Sequence, residues 1–375
     1  QMILEEVRLF RRLPVIEPPE LTLALRDYIK AEKRYQETDL YQESKRYWLE
    51  KISTMPQAPD LQLARGLSEI REQRFSSLVR ILDKASWKAL KEKAAERRLT
   101  PSSVLLAVYG DVLGLWSKNN DFAISLAQFN RTPSHPEVNQ IVGDFTSIMI
   151  LDLHPHLDKV FTNRASMVQK TLWENLEHRA FDGVQVLREM ARGKRSGTEA
   201  LVPVVFTSIL GMGEDSEELY PWAVLGEVGY FVSQTPQVWL DNQVSESKGE
   251  LIISWDVIEE LFPSGMLTDM LDTYVEILRR LAQDNQAWDC ECEIELPKAQ
   301  LQILKQKSPE KDTSYRLLQT GFLESAKQFP NRQAVIAADR TLTYAQLDKA
   351  SNTLAHQLKG LGIQRNELVA ILAPK

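Results

Sequence analysis

Pro203–Leu210 reads PVVFTSIL: a proline, a run of β-formers, and two hydroxyl residues, Thr207 and Ser208, where the apolar run ends. A short apolar run bounded in this way predicts a buried strand. Similar segments follow: SQTPQVWLD (Ser233–Asp241), which ends on a carboxylate, and ELIISWDV (Glu250–Val257), beyond a turn at Ser247–Gly249. The stretch QVWLDNQV and ELIISWDV together predict a hairpin. Upstream, RFSSLVRIL (Arg74–Leu82), DFAISLAQF (Asp121–Phe129) and GDFTSIMILDL (Gly143–Leu153) predict three more strands.

Helices alternate with these runs. Asp83 is placed to cap ASWKALKEKAAERR, and Thr100-Pro101 opens SSVLLAVYGDVLGLW, whose apolar residues run nearly all round and predict a buried helix. Residues 158–192 predict helix with a break near Phe181-Asp182-Gly183, and Met266–Leu281 predicts an amphipathic one. The pattern is that of an α/β layered domain over residues 59–285. Before it, residues 1–58 do not form a domain of their own. They hold an amphipathic opening (Ile3, Leu4, Val7, Leu9) and a long helical region with Leu25, Tyr28, Ile29, Tyr47, Trp48 and Ile52 on its apolar side. Residues 286–314 are polar and lysine-rich, a linker carrying a short helix. From about Leu317 a new organisation begins: a helix to Phe329, strands through AVIAADRTLT, a helix over Tyr344–Lys359 and a strand at ELVAILA. The chain reads as a piece of a longer polypeptide.

Composition removes several classes. A net charge of −7 with no basic block disfavours nucleic acid and anionic membrane surfaces. No apolar run reaches the roughly 18 residues of a membrane span. Two cysteines, Cys290 and Cys292, are too few for a zinc site and too close for an unstrained disulfide, so reduced thiols in a cytoplasmic protein are expected. GMGEDSE (211–217) and GKRSG (193–197) lack the spacing of phosphate-binding loops. His154-Pro155-His156 has no recognisable third ligand, so no metal is expected.

That leaves the polar residues at the strand ends. A threonine hydroxyl bonded to a carboxylate can relay a proton or hold a reacting oxygen, and Thr207 and Asp241 end two successive strand-like segments. Composition alone equally allows both to terminate strands by bonding backbone.

Four stretches narrow that choice: LTPSSVLLAVYGDVLGLW, GDFTSIMIL, PVVFTSIL, and SQTPQVWLD with the later ISWD. In order and spacing they resemble the signature motifs of heterocyclization domains, the cyclizing variant of the condensation domain in nonribosomal peptide synthetases. SLAQFNRTPSHPEVNQIVGDFTS is also similar to theirs. YWLEKISTMPQAPDLQLA resembles their proline-rich crossover, from which Gln62 and Ala64 depart. Further on, LTYAQLD (Leu342–Asp348) resembles the first core motif of adenylation domains.

The resemblance implies a chloramphenicol-acetyltransferase-like fold: residues 1–58 would be the end of the first lobe and its crossover, 59–285 the second lobe, and 315–375 the beginning of an adenylation domain. It implies amide formation between a carrier-bound acyl thioester and a carrier-bound Cys, Ser or Thr, then cyclodehydration to a thiazoline or oxazoline. Asp241 would shuttle the proton and Thr207 orient it. Ser208 and Asn130 would be hydrogen-bond donors around the amide, and Asp144 and Gln237 would contact substrate. Asp256 reads as a cap or turn partner. The family's Asp-x-x-x-x-Asp motif would fall just upstream of Gln1. Implied partners are acyl and peptidyl carrier proteins bearing phosphopantetheine, plus the remaining synthetase domains. ATP and Mg would belong only to a complete adenylation domain. The rival readings are an ordinary condensation domain, which would stop at the amide, and a docking module without turnover.

Overall fold

The computed structural model describes residues 20–291, except 67–68, 71, 130, 133–134, 193–200, 211–234 and 236. It also describes 301, 317 and 319–370, except 338 and 365–366. The amphipathic opening, Asn130, the loop at 211–218 and residues 292–300 and 302–314 of the linker, Cys292 among them, lie outside the described residues. The linker's short helix, Gln286–Asp289, is described and buries Trp288 against the first unit's core. Contacts divide the chain into two compact units, Gln1–Pro297 and Lys298–Lys375.

In the first unit, α1 (Leu25–Tyr35) and α2 (Asp39–Ile52) are followed by β1 (Ser76–Leu82), α3 (Lys84–Glu96), α4 (Pro101–Trp116), β2 (Phe122–Phe129) and β3 (Thr146–Leu153). Then come α5 (Phe161–Glu177), α6 (Gly183–Arg192), β4 (Val204–Ser208), β5 (Leu240–Ser247), β6 (Glu250–Val257) and α7 (Met266–Gln283). The six strands form one mixed sheet in the order β1-β6-β5-β4-β2-β3. Strand β4 runs parallel to both neighbours, β2 and β5, and the other pairs are antiparallel.

Local chemistry sets the boundaries. Asp83 accepts the Ser86 N–H at 2.9 Å to start α3, and Thr100 accepts the Ser103 N–H at 3.2 Å to start α4, with Pro101 in the first turn. Gly183 opens α6 against the β3 backbone, where a β-carbon would lie 2.5 Å from the Ile148 carbonyl oxygen. The β5–β6 hairpin closes on Lys248 and Gly249, whose φ angles of 52° and 80° are those of a two-residue type I′ turn.

One sheet face is the core. Leu251, Ile253, Trp255 and Val257 of β6 are fully buried there with Phe206 of β4, and Tyr109 of α4 and Tyr274 of α7 pack on them, Tyr109 lying 5.8 Å from the Trp255 ring. Burying each large apolar side chain is worth roughly 1.5–3 kcal/mol, and a one-residue slip would turn all four β6 residues outward. Packing therefore fixes the β6 register, and with it what β6 presents on the opposite face.

Three expectations need correction. The helical region before residue 55 is two helices, broken at Gln36–Thr38, where Thr38 accepts the Tyr41 N–H to restart. Leu25 and Ile29 are exposed, because α1 buries only Tyr28, against Val138, Ile141 and Phe145 in a small cluster apart from the main core. In the second unit, α8 (Thr320–Gln328), the antiparallel pair β7 (Gln333–Ile336) and β8 (Thr341–Thr343), and α9 (Tyr344–Gly360) follow the sequence pattern. Thr343 and Gln346 form a reciprocal capping box at α9. Glu367–Ala370, however, form no strand, since no described strand of this unit pairs with them.

Candidate active site on the polar sheet face

The pairing registers assemble the site. Across the parallel β4–β5 pair, Val205 lies opposite Asp241 and Thr207 opposite Gln243; across the β5–β6 hairpin, Asp241 lies opposite Asp256 and Gln243 opposite Ser254. Residues paired in register share a face, and every second residue returns to it. Thr207, Asp241, Gln243, Ser254 and Asp256 thus form a polar patch on the face turned away from the aromatic core. Ser77 of β1 extends it, with its Oγ 2.8 Å from Ser254 Oγ.

Thr207 Oγ1 donates to Asp241 Oδ1 at 2.9 Å, and Gln243 Nε2 donates to Asp241 Oδ2 at 2.9 Å. Asp241 is 9% exposed, whereas Thr207 is half-buried, so the hydroxyl is the more accessible member of the pair. No described cation forms an ion pair with Asp241. Burial pushes its carboxyl up to about 6, against the Gln243 and Thr207 hydrogen bonds that favour the charged form, while the neighbouring Asp256 charge pushes the same way as burial. A carboxyl poised there exchanges its proton near neutral pH, which general acid–base work requires.

The other expected residues fall elsewhere. Ser208 follows Thr207 on the strand and so faces the opposite side, where its Oγ lies 3.1 Å from Ser102 Oγ at the start of α4. Asp144 is exposed just before β3 and accepts the Thr146 N–H at 2.8 Å; that bond holds its carboxyl below the ordinary range. Gln237 is an exposed turn residue with φ 68° ahead of β5. The structure brings neither Ser208, Asp144 nor Gln237 to the pair. Asp256 is buried at 1% exposure and shares Gln243 with Asp241. The 3-10 turn after it, Glu259–Leu261, follows Ile258 and takes no side-chain cap, which corrects the reading of Asp256 as a cap.

A cavity of about 250 Å³ opens between α4, α5 and the end of β3, lined among others by Asp111, Asp152, His154 and Arg164. Its charges are already paired: Arg164 with Asp111, and Lys51 with Asp152 at 2.8 Å. His154 bonds both Asp152 and Asp121, and those bonds, Asp152 foremost, raise it to about 8 against burial. Neither Thr207 nor Asp241 lines this cavity. No group of three or more metal-ligating side chains occurs among the described residues, and no single described helix is long and apolar enough to cross a membrane.

A mixed six-stranded sheet flanked by helices, with an aromatic core on one face and a hydroxyl–carboxyl pair on the other, defines an α/β domain with a polar site on its sheet face. The chain belongs to the condensation-domain family, which matches residues 16–304, and residues 322–375 match the AMP-binding enzymes. It is similar to pyochelin synthetase PchF of Pseudomonas aeruginosa (36% identical over 359 residues, 96% of this chain and 19% of PchF). Phenyloxazoline synthase MbtB of Mycobacterium tuberculosis is 35% identical over 369 residues, 96% of this chain and 25% of MbtB. The chain thus spans a quarter or less of these relatives. Among solved structures, the cyclization-docking bidomain of the EpoB nonribosomal peptide synthetase from Sorangium cellulosum superimposes with a TM-score of 0.66 at 37% identity, covering 76% of this chain and 57% of that one.

Proposed function

We propose that this chain is the ring-closing part of a nonribosomal peptide synthetase module, acting on carrier-bound thioesters. The observation that carries the reading is the 2.9 Å Thr207–Asp241 hydrogen bond on the polar sheet face, around a carboxyl that no described cation neutralises. Similarity to a phenyloxazoline synthase and to a cyclization domain supports it.

In the first reaction the amine of a carrier-bound Cys, Ser or Thr attacks the upstream thioester carbonyl. A C–N bond forms, the C–S bond breaks, and the phosphopantetheine thiol of the upstream carrier leaves with a proton. In the second, the side-chain thiol or hydroxyl adds to the new amide carbon and its proton passes to the amide oxygen, giving a tetrahedral C–OH. Loss of that oxygen as water requires a further proton on it and removal of the N–H proton as C=N forms. Asp241 suits both transfers: protonated, it donates to the departing oxygen, and ionised, it takes the proton from nitrogen, ending as it began. Thr207 fixes the carboxyl plane. Cysteine is the favoured nucleophile, because sulfur attacks carbonyl carbon well.

Residues 1–58 are assigned to the end of the first lobe and its crossover, 59–285 to the second lobe, 286–314 to a linker and 315–375 to the start of an adenylation domain. ATP and Mg enter no step assigned to the described residues. The test is Asp241→Asn in the full synthetase polypeptide with its carriers, read by mass spectrometry of the tethered product. The linear amide, heavier than the ring by one water, should accumulate; normal ring content overturns the reading, and loss of both products overturns the division of labour.

A further inference from the structure

One side-chain amide serves two carboxylates at the centre of the sheet. Gln243 Nε2 lies 2.9 Å from Asp241 Oδ2 and 3.0 Å from Asp256 Oδ2. An ionised carboxylate only accepts hydrogen bonds, so the amide presents its NH2 group to both, one N–H to each. Asp256 is almost wholly buried and lies directly opposite Asp241 in the hairpin register. Two carboxylates buried side by side resist ionising together. Among the described residues, the groups facing Asp241 are Thr207 from β4, Gln243 on its own strand and Asp256 from β6, and the Tyr109 hydroxyl of α4 feels the Asp241 charge. Burial and the Asp241 charge hold that hydroxyl well above its ordinary range, so it is neutral.

We propose that Gln243 and Asp256 are positioning residues for ring closure: Gln243 holds the Asp241 carboxyl in the orientation that Thr207 completes, and Asp256 keeps the proton on Asp241 until the departing oxygen takes it. This rests on the ring-closing reading above. It gives a role to the Asp of the SWD stretch, which composition reads as a turn residue, and makes the site a network spanning three strands.

The test is the pH profile of ring closure in the full synthetase polypeptide with its carriers, with amide formation followed in the same samples. Asp256→Asn removes the charge and keeps the shape. Asp241 then loses its proton more readily, so the alkaline limb should move down by about one pH unit, slowing ring closure roughly tenfold at pH 8 and leaving amide formation unchanged. Gln243→Met removes a donor to the ionised carboxyl, so its limb should move up. Opposite displacements mark positioning; a merely structural role lowers the rate without moving either limb, and that result overturns the proposal. Asp241→Asn separates the two levels. If it still closes rings, the ring-closing reading fails; if it stops them while both other variants keep the wild-type limb, only the positioning role fails. Should a variant not fold, the unmodified protein decides: carbon NMR of the Asp241 carboxyl should show titration at about 6, and a midpoint of about 4 overturns the proposal.

Discussion

The molecule buries two aspartates in contrasting company. Asp111, inside α4, is gripped by Arg164 of α5 through two hydrogen bonds of 2.8 and 2.6 Å. Among the described residues, Asp241, on β5, is held by a hydroxyl and an amide, with a second carboxylate nearby. Burial lifts both carboxyls above their ordinary range; at Asp111 the guanidinium restrains the rise, and at Asp241 the neutral donors Gln243 and Thr207 do. A full countercharge ties two helices together, since neither partner can change state without stranding the other. Neutral donors leave the proton free to come and go. Burial raises both carboxyls; the charge of the partner is what separates them.

The strongest way to break this comparison is at Asp241. Asp241→Asn should reduce ring closure by about 10²–10⁴-fold, the usual contribution of a positioned acid–base group, with amide formation retained. At the structural end, Arg164→Met should destabilise the fold by about 3–5 kcal/mol, because it leaves a buried charge without its partner; urea titration measures this, and the Asp111→Asn, Arg164→Met double variant should recover part of the loss.

The same Asp241→Asn change should act oppositely on stability. A carboxyl titrating at about 6 when folded and 3.8 when unfolded is penalised wherever both forms are ionised, so the penalty is absent below pH 3.8, grows through 6 and is complete above it. The variant should therefore be more stable than the wild type by roughly 3 kcal/mol at pH 8 and equal to it in acid, seen as converging urea midpoints. Equal stability at all pH would show that folding leaves the Asp241 carboxyl at its ordinary value and would break the comparison. The smallest effect belongs to Thr207. Thr207→Val should slow ring closure by about 10–100-fold through loss of one hydrogen bond to a charged group, and Thr207→Ser should restore most of it.

Much of this was readable in the chain. The strands around PVVFTSIL, the hairpin, the Asp83 and Thr100 caps and the break before Gly183 follow from local chemistry, and Thr207 and Asp241 follow from motif resemblance. The alternation of strand side chains alone separates Ser208 from Thr207, since consecutive residues face opposite ways. Asp256 was hidden for a subtler reason. Its partner depends on the turn, and a turn spread over Ser247–Gly249 leaves the register open. Once Lys248 and Gly249 alone form the turn, Ser247 pairs with Glu250, and six residues outward on each side Asp241 meets Asp256. The exposure of Leu25 and Ile29 was not legible, because helical periodicity says which residues share a face but not whether a neighbour covers it.

The type I′ turn at Lys248–Gly249 makes chain length itself a functional constraint. One residue inserted there would shift the count between the two aspartates, and Asp256 would either leave its partner or drag Leu251, Ile253, Trp255 and Val257 out of the interior. Polar exchanges along the outer face of the hairpin leave that count untouched. On the proposed ring-closing role, the spacing from Asp241 to Asp256 is the quantity to preserve in any redesign of this hairpin, ahead of sequence identity in the turn.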